Sequence, residues 1–269
     1  MTIIQRPSLV YPGTPPGIDW SHPASQNLGL SLVALGKDFL QLTAPVAPTR
    51  YSTAPTLGVS SLIGPTTAFA AAGNTGISYP NAIPNFPQSR STFAGIVQYG
   101  AAGSLGWAGN GAVSPFPPSF GLYFSAGTLG VYYGSSGGMV ASSIPNLIAG
   151  QPYFCAASCL SGVGVNFVLR NLATGQIWTS SATNTNAFPA SNNYVTIGDP
   201  GGAGAASTSP IARFMYASNY LSIPQLYQWG QSPWSFWHPY AGTMRPAWFS
   251  QGASGGAAAT PFVQPLVFM

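Results

Sequence analysis

The chain has 269 residues, 46% of them hydrophobic, which excludes an apolar-poor disordered polymer and provides for one large β domain or two small ones. Charged residues make up 4% of it, three Asp, one Lys and six Arg with no Glu, against about 25% in an ordinary soluble domain. The basic balance comes from a shortage of acids, and Arg6, Arg50, Arg90, Arg170, Arg213 and Arg245 are too scattered to displace counterions from phosphates, so nucleic-acid binding is excluded.

Met1 to Tyr11 lacks the basic region and continuous apolar run of a secretory signal, so synthesis without export is expected. The first 50 residues hold Pro7, Pro12, Pro15, Pro16, Pro23, Pro45 and Pro48, and residues 1–55 read as an extended arm with Leu28 to Leu42 as its docked segment. From about Thr56 to Tyr240 the pattern changes to short apolar or alternating runs bounded by Gly, Asn, Ser and Pro. Thr92–Tyr99, Gly121–Phe124, Thr128–Tyr133, Tyr153–Leu160, Gly164–Asn171, Gln176–Thr179, Tyr194–Gly198 and Ile211–Tyr220 are of strand length and rich in Val, Ile, Tyr, Phe or Thr. Trp107 and Asn110 fall in a Gly-rich stretch that reads as a loop. The single helical turn expected starts at Ser222, which can cap Pro224 to Tyr227. Residues 241–269 read as a Gly/Ala-rich linker and an apolar C-terminal strap. No apolar run reaches the roughly 20 residues that a bilayer span needs.

Cys155 and Cys159 stand four apart in a predicted strand, so both point to one face about 13 Å apart, too far for a disulfide. No His or further Cys lies near them, and buried free thiols are expected in place of a zinc site.

The order of these features resembles a known family. Ser91 to Val97 looks like an early core strand, Gly121–Phe124 with Gly130–Tyr133 like a hairpin, and Gly150 to Ala157 like the strand that follows. Tyr194 to Gly198, Leu221 to Tyr227 and the ending Ser232-Pro233-Trp234-Ser235-Phe236-Trp237-His238-Pro239 fit the closing segments, and Trp20 to Leu28 resembles the opening. The family is the laminin-G-like, concanavalin A-like lectin-glucanase jelly roll of bacteriophage virion proteins. The resemblance implies an all-β, concanavalin-like jelly-roll β-sandwich over residues 56–240.

Glucanases of this fold need two carboxylates flanking a sugar bond. Asp19, Asp38 and Asp199 are the only ones here, and no two share a strand at suitable spacing. His22 and His238 stand in Ser-His-Pro and Trp-His-Pro contexts that match structural motifs of the resemblance. Asp199-Pro200-Gly201-Gly202 carries a single carboxylate and reads as a turn, not a calcium loop. No enzyme activity, cofactor or metal is therefore expected.

Two binding roles remain. Trp107, Asn110, Tyr132, Tyr133 and Trp178 are candidates for glycan contact, by ring stacking and amide hydrogen bonds; the alternative is that they are core or rim aromatics. Tyr132 and Tyr133 are adjacent in a strand, so they face opposite sides. Trp229, Trp234, Trp237, Trp248, Phe249, Phe262 and Phe268 look too dense for one small core and are candidates for an assembly interface with capsid or other virion subunits. So few charges do little to keep molecules apart, which suits a homo-oligomer or a surface wrapped by companion chains. The expectation is a virion structural protein, first a head decoration or cement protein, and alternatively a carbohydrate-binding fibre module.

Overall fold

A computed structural model describes residues 17–35, 38–43, 48–52, 56–60, 63–69, 75–84, 88–100, 102–109, 120–133, 138–188, 193–199 and 208–237. Sixteen strands occur among them. In order they are β1 (Leu28–Leu35), β2 (Asp38–Gln41), β3 (Thr49–Ser52), β4 (Thr56–Ser60), β5 (Gly64–Ala68), β6 (Thr75–Tyr79), β7 (Arg90–Gln98) and β8 (Gly103–Ala108). The second half gives β9 (Phe120–Ser125), β10 (Thr128–Tyr133), β11 (Gly138–Ala141), β12 (Pro152–Leu160), β13 (Gly164–Asn171), β14 (Ile177–Thr183), β15 (Val195–Asp199) and β16 (Ile211–Ala217). One helix, α1 (Ile223–Gln231), follows.

The strands build two antiparallel sheets, and the chain is a β-sandwich of jelly-roll type. One sheet runs β14-β13-β12-β7-β16-β1-β2, with β5 and β4 branching from β16; the other runs β11-β10-β9-β8-β15-β6-β3. Alternation decides what each strand buries. Phe93 and Val97 of β7, Tyr153, Cys155, Ala157 and Cys159 of β12, and Phe214 and Tyr216 of β16 point inward. They meet Leu122 and Phe124 of β9, Leu129 and Val131 of β10 and Ile77 and Ile197 of β6 and β15. The sheets approach closely where Gly106 lies under Phe214: a Cβ at 106 would stand 2.4 Å from the Phe214 ring.

The nine-stranded sheet is buried on its outer face as well. Val33, Ile96, Phe154, Ala156, Val168 and Met215 point away from the first core and form a second one with Leu226, Trp229, Trp234, Phe236 and Trp237. Helix α1 and the turn after it supply this covering layer. The helix is nine residues long, over twice the length expected. The Ser222 N–H and Oγ–H both donate to Gln225 Oε1, at 2.9 and 3.0 Å, and Pro224 sits in the first turn, where its missing N–H costs nothing. At the other end Arg170 Nη1 donates to the Gly230 carbonyl at 2.7 Å, satisfying an acceptor the helix cannot.

Three expectations change. β1, β2 and β3 are not parts of an arm: β1 lies inside the nine-stranded sheet between β16 and β2, and β3 pairs with β6 in the other. Their prolines punctuate strands instead of preventing them, Pro23 opening a short 3-10 turn and Pro48 preceding β3. The Gly-rich stretch around Trp107 is strand β8, with a bulge between Ser104 and Gly106. Trp229, Trp234 and Trp237 are 0, 3 and 0% exposed and pack within the chain, because a third layer exists that a two-sheet sandwich does not provide. Trp248, Phe249, Phe262 and Phe268 lie outside the described residues, as do the N-terminal residues 1–16 and the segment 241–269.

Candidate functional site

On the seven-stranded sheet, the residues that alternate with the core point outward. In β9 these include Gly121 and Tyr123, in β10 Gly130 and Tyr132, in β11 Met139, and in β8 Trp107. Cross-strand register lines them up: Met139 is opposite Tyr132, Tyr132 opposite Gly121, Gly121 opposite Trp107, and Trp107 opposite Thr196. The glycines make room for their neighbours. A Cβ at Gly121 would come within 2.8 Å of the Trp107 ring, and one at Gly130 within 2.3 Å of the Met139 methyl. The indole and the thioether therefore lie down over the sheet.

Three rings close into a triangle there. Tyr132 meets Trp107 edge to face at 5.8 Å, Tyr123 lies 6.3 Å from Trp107, and the tyrosines are 5.7 Å apart. Such spacings are within the range of favourable aromatic pairs. Trp107 is buried at 4% exposure, so it is the floor of the cluster, while Tyr123, Tyr132 and Met139 are half-buried and present their outer surfaces. At the start of β10, two residues before the Gly130 that stands opposite Tyr123, Thr128 Oγ1 donates to Asn146 Oδ1 at 3.1 Å. No described side chain on this face carries a charge.

The candidate glycan contacts thus separate. Trp107 and Tyr132 come together. Trp178 belongs to β14 at the edge of the other sheet, where it packs half-buried against the central core and cannot join them. Asn110 lies outside the described residues, and of Tyr133 only the backbone is described. Tyr123 was missed, although its position between Leu122 and Phe124 carries the signal, since two inward neighbours force it outward.

No protein-family model matches the sequence, and no curated protein matches it. Solved structures do. Domain 4 of AbnA, an extracellular arabinanase from Geobacillus stearothermophilus solved in complex with arabinotriose, is 14% identical with a TM-score of 0.52, over 74% of this chain and 96% of that domain. The binding domain of Paraclostridial Mosquitocidal Protein 1 is 11% identical with a TM-score of 0.55, over 77% of this chain and 52% of that one. A Trypanosoma rangeli sialidase mutant displaying trans-sialidase activity gives 14% and 0.52, over 78% of this chain and 33% of that one. The likeness is one of fold. This chain spans nearly all of the arabinanase domain, about half of the toxin domain and a third of the sialidase.

The remaining candidate chemistry is dispersed. Asp19 sits in the turn before the 3-10 segment, where its Oδ1 accepts from the Ser21 N–H at 3.0 Å; Asp38 starts β2; Asp199 ends β15 in the opposite sheet. Among the described residues no three His, Cys, Asp or Glu gather as a metal site would require. Cys155 and Cys159 are free and buried in the central core, on one face as their spacing requires. Burial pushes the Cys155 thiol up to about 12, so it is not a nucleophile at neutral pH. His22 is buried under Trp229 and Phe236, with ring centroids 4.7 and 5.6 Å away. Desolvation lowers its pKa to about 3, so it is held neutral, and its Nδ1 accepts from the Ala24 N–H at 3.0 Å. That histidine caps a turn. His238 lies outside the described residues.

Proposed function

We propose that this chain is a non-catalytic binding module of a bacteriophage particle, and that it holds a neutral surface glycan on the outer face of its seven-stranded sheet. The observation that carries the reading is the triangle of Trp107, Tyr123 and Tyr132, two of them half-buried, on a face without described charges. Ligand sites combine an apolar, aromatic surface with a few polar groups that fix orientation. Here the tyrosine rings offer the surface, and Thr128 and Asn146 the hydrogen-bonding groups. Asp19 in a turn, Asp38 on β2 of one sheet and Asp199 on β15 of the other support binding without hydrolysis, because glycoside cleavage needs two carboxyls flanking one bond.

The test is a glycan array with the purified chain, followed by titration calorimetry on any positive glycan. Tyr132→Ala and Tyr123→Ala should each weaken binding about tenfold, the equivalent of roughly 1.4 kcal/mol for one lost ring contact. Trp178→Ala, in the opposite sheet, should leave the affinity unchanged. A blank array, or wild-type affinity in both tyrosine variants, overturns the proposal.

A second reading has its own observation. The chain has ten charged side chains, one of which, Arg213, is fully buried, for 12602 Å² of surface, on which Trp20 and Ile148 are 67 and 64% exposed. A head decoration protein bound to capsid subunits, assembled in the host cytoplasm, would cover such a surface. In that case the chain is found in purified particles by mass spectrometry, at a copy number matching the capsid lattice, and the glycan array stays blank.

A further inference from the structure

We infer that two copies of this chain pair through β14, edge to edge, and make one continuous antiparallel sheet of their nine-stranded sheets. Among the described residues, β2, β3, β4, β11 and β14 lie at sheet edges. β2, β3 and β11 have four residues each and β4 has five; Asp38 stands on β2 and Arg50 on β3. β14 has seven, Ile177-Trp178-Thr179-Ser180-Ser181-Ala182-Thr183, without charge or proline, and it is half-buried to exposed along its whole length. Natural edge strands are kept apart by shortness, charge, proline or bulges. β14 pairs with β13 in unbroken register and has none of these protections.

The occupant that fits is a second β14. Centring the pairing on Ser180 sets Ile177 opposite Thr183, Trp178 opposite Ala182 and Thr179 opposite Ser181. Trp178, Ser180 and Ala182 share the core-facing side, since they pair with Leu169, Phe167 and Val165. Each large indole thus meets a small methyl, and hydroxyls face hydroxyls at the three central positions, with no like charges opposed. Such pairing keeps core-facing residues opposite core-facing residues, so the twofold axis runs normal to the sheet. Both seven-stranded sheets then lie on the same side, and both aromatic faces point the same way. On a multivalent glycan, two such faces can raise avidity by about 10² or more without any new contact.

Sedimentation equilibrium of the full chain tests this. The wild type should sediment at twice the 27.7 kDa chain mass. Ser180→Lys and Ser180→Asp each bring like charges into direct opposition and should sediment as single chains, while an equimolar mixture of the two should recover the dimer. Thr179→Lys combined with Ser181→Lys, on the outer side of the strand, sets lysine opposite lysine twice, should also give single chains, and serves if position 180 does not accept charge in a folded protein, as judged by circular dichroism. A single-chain wild type, or a dimer that persists in all three variants, overturns the inference.

Discussion

His22 makes the stability of this protein acid-sensitive in a way that one substitution can isolate. The imidazole is buried, accepts from the Ala24 N–H and packs edge-on against Trp229 and Phe236, and desolvation takes its pKa from 6.5 to about 3. The folded state therefore binds the proton less well than the unfolded chain. Stability from this group is fully present above pH 6.5 and is lost as pH falls toward 3, at about 1.4 kcal/mol per pH unit. Between pH 7 and 4.5 the loss is about 2.7 kcal/mol, or roughly 5–10 °C in Tm for a chain of this size. The window is unusually clean, because three carboxylates and His238 are the chain's only other side chains that ordinarily titrate below pH 7. His22→Asn keeps a capping oxygen for Ala24 and removes the titration. It should lower Tm at pH 7 through lost ring packing, yet fall much less than the wild type between pH 7 and 4.5, in a His238→Gln background for both. Thermal melts at half-unit pH steps read this directly. Parallel curves for the two proteins would refute the reasoning.

Three further outcomes follow from particular contacts. Gly106→Ala places a methyl 2.4 Å from the Phe214 ring and should destabilise by about 1–3 kcal/mol in urea unfolding, whereas Gly17→Ala, with nothing within 4 Å, should change little. Arg170→Met keeps the aliphatic stem but loses the bond to the Gly230 carbonyl at the end of α1, and should cost about 1 kcal/mol in the same assay. Cys155 and Cys159, buried in the core with the Cys155 thiol pushed up to about 12, should resist a maleimide at pH 8 for hours and react at once in denaturant.

Much of the fold was legible because alternation and burial agree. Thr128–Tyr133 and Gly164–Asn171 are strands at the predicted bounds, and six other predicted strands shift by a few residues. What failed did so where one residue type serves two purposes. Glycine marks turns, but Gly106 is in β8 because only a hydrogen fits beneath Phe214, so the stretch around Trp107 resembled a loop. Proline marks arms, but Pro23 and Pro48 stand where strands begin and turn, and β1 behind them is central. The aromatic cluster from Trp229 onward looked too dense for one small core; Trp229, Trp234 and Trp237 fill a second core beneath α1, and Trp248 and Phe249 lie outside the described residues. Leu226, Trp229 and Gly230, spaced three and four apart, were the available signal that a helix face would bury them. For the candidate site, Trp107 and Tyr132 were nameable from sequence, but their contact was not. It depends on which strands become neighbours, a long-range property that strand patterns do not encode.

The third layer also gives the molecule two unlike sides. The Gly17 N–H donates to the Trp237 carbonyl at 2.8 Å and the Asp19 N–H to that of Phe236 at 2.9 Å. The described chain therefore enters and leaves at adjacent points, both on the layer that covers the nine-stranded sheet. Tyr123 and Tyr132 lie on the outer face of the other sheet, across the whole thickness of the sandwich. Edge pairing through β14 preserves this arrangement, since an axis normal to the sheet keeps both third layers on one side and both aromatic faces opposite them. Burying Trp229, Trp234 and Trp237 inside the chain, where sequence density suggested they would seek another subunit, fills the second core on the side of the molecule opposite the aromatic face.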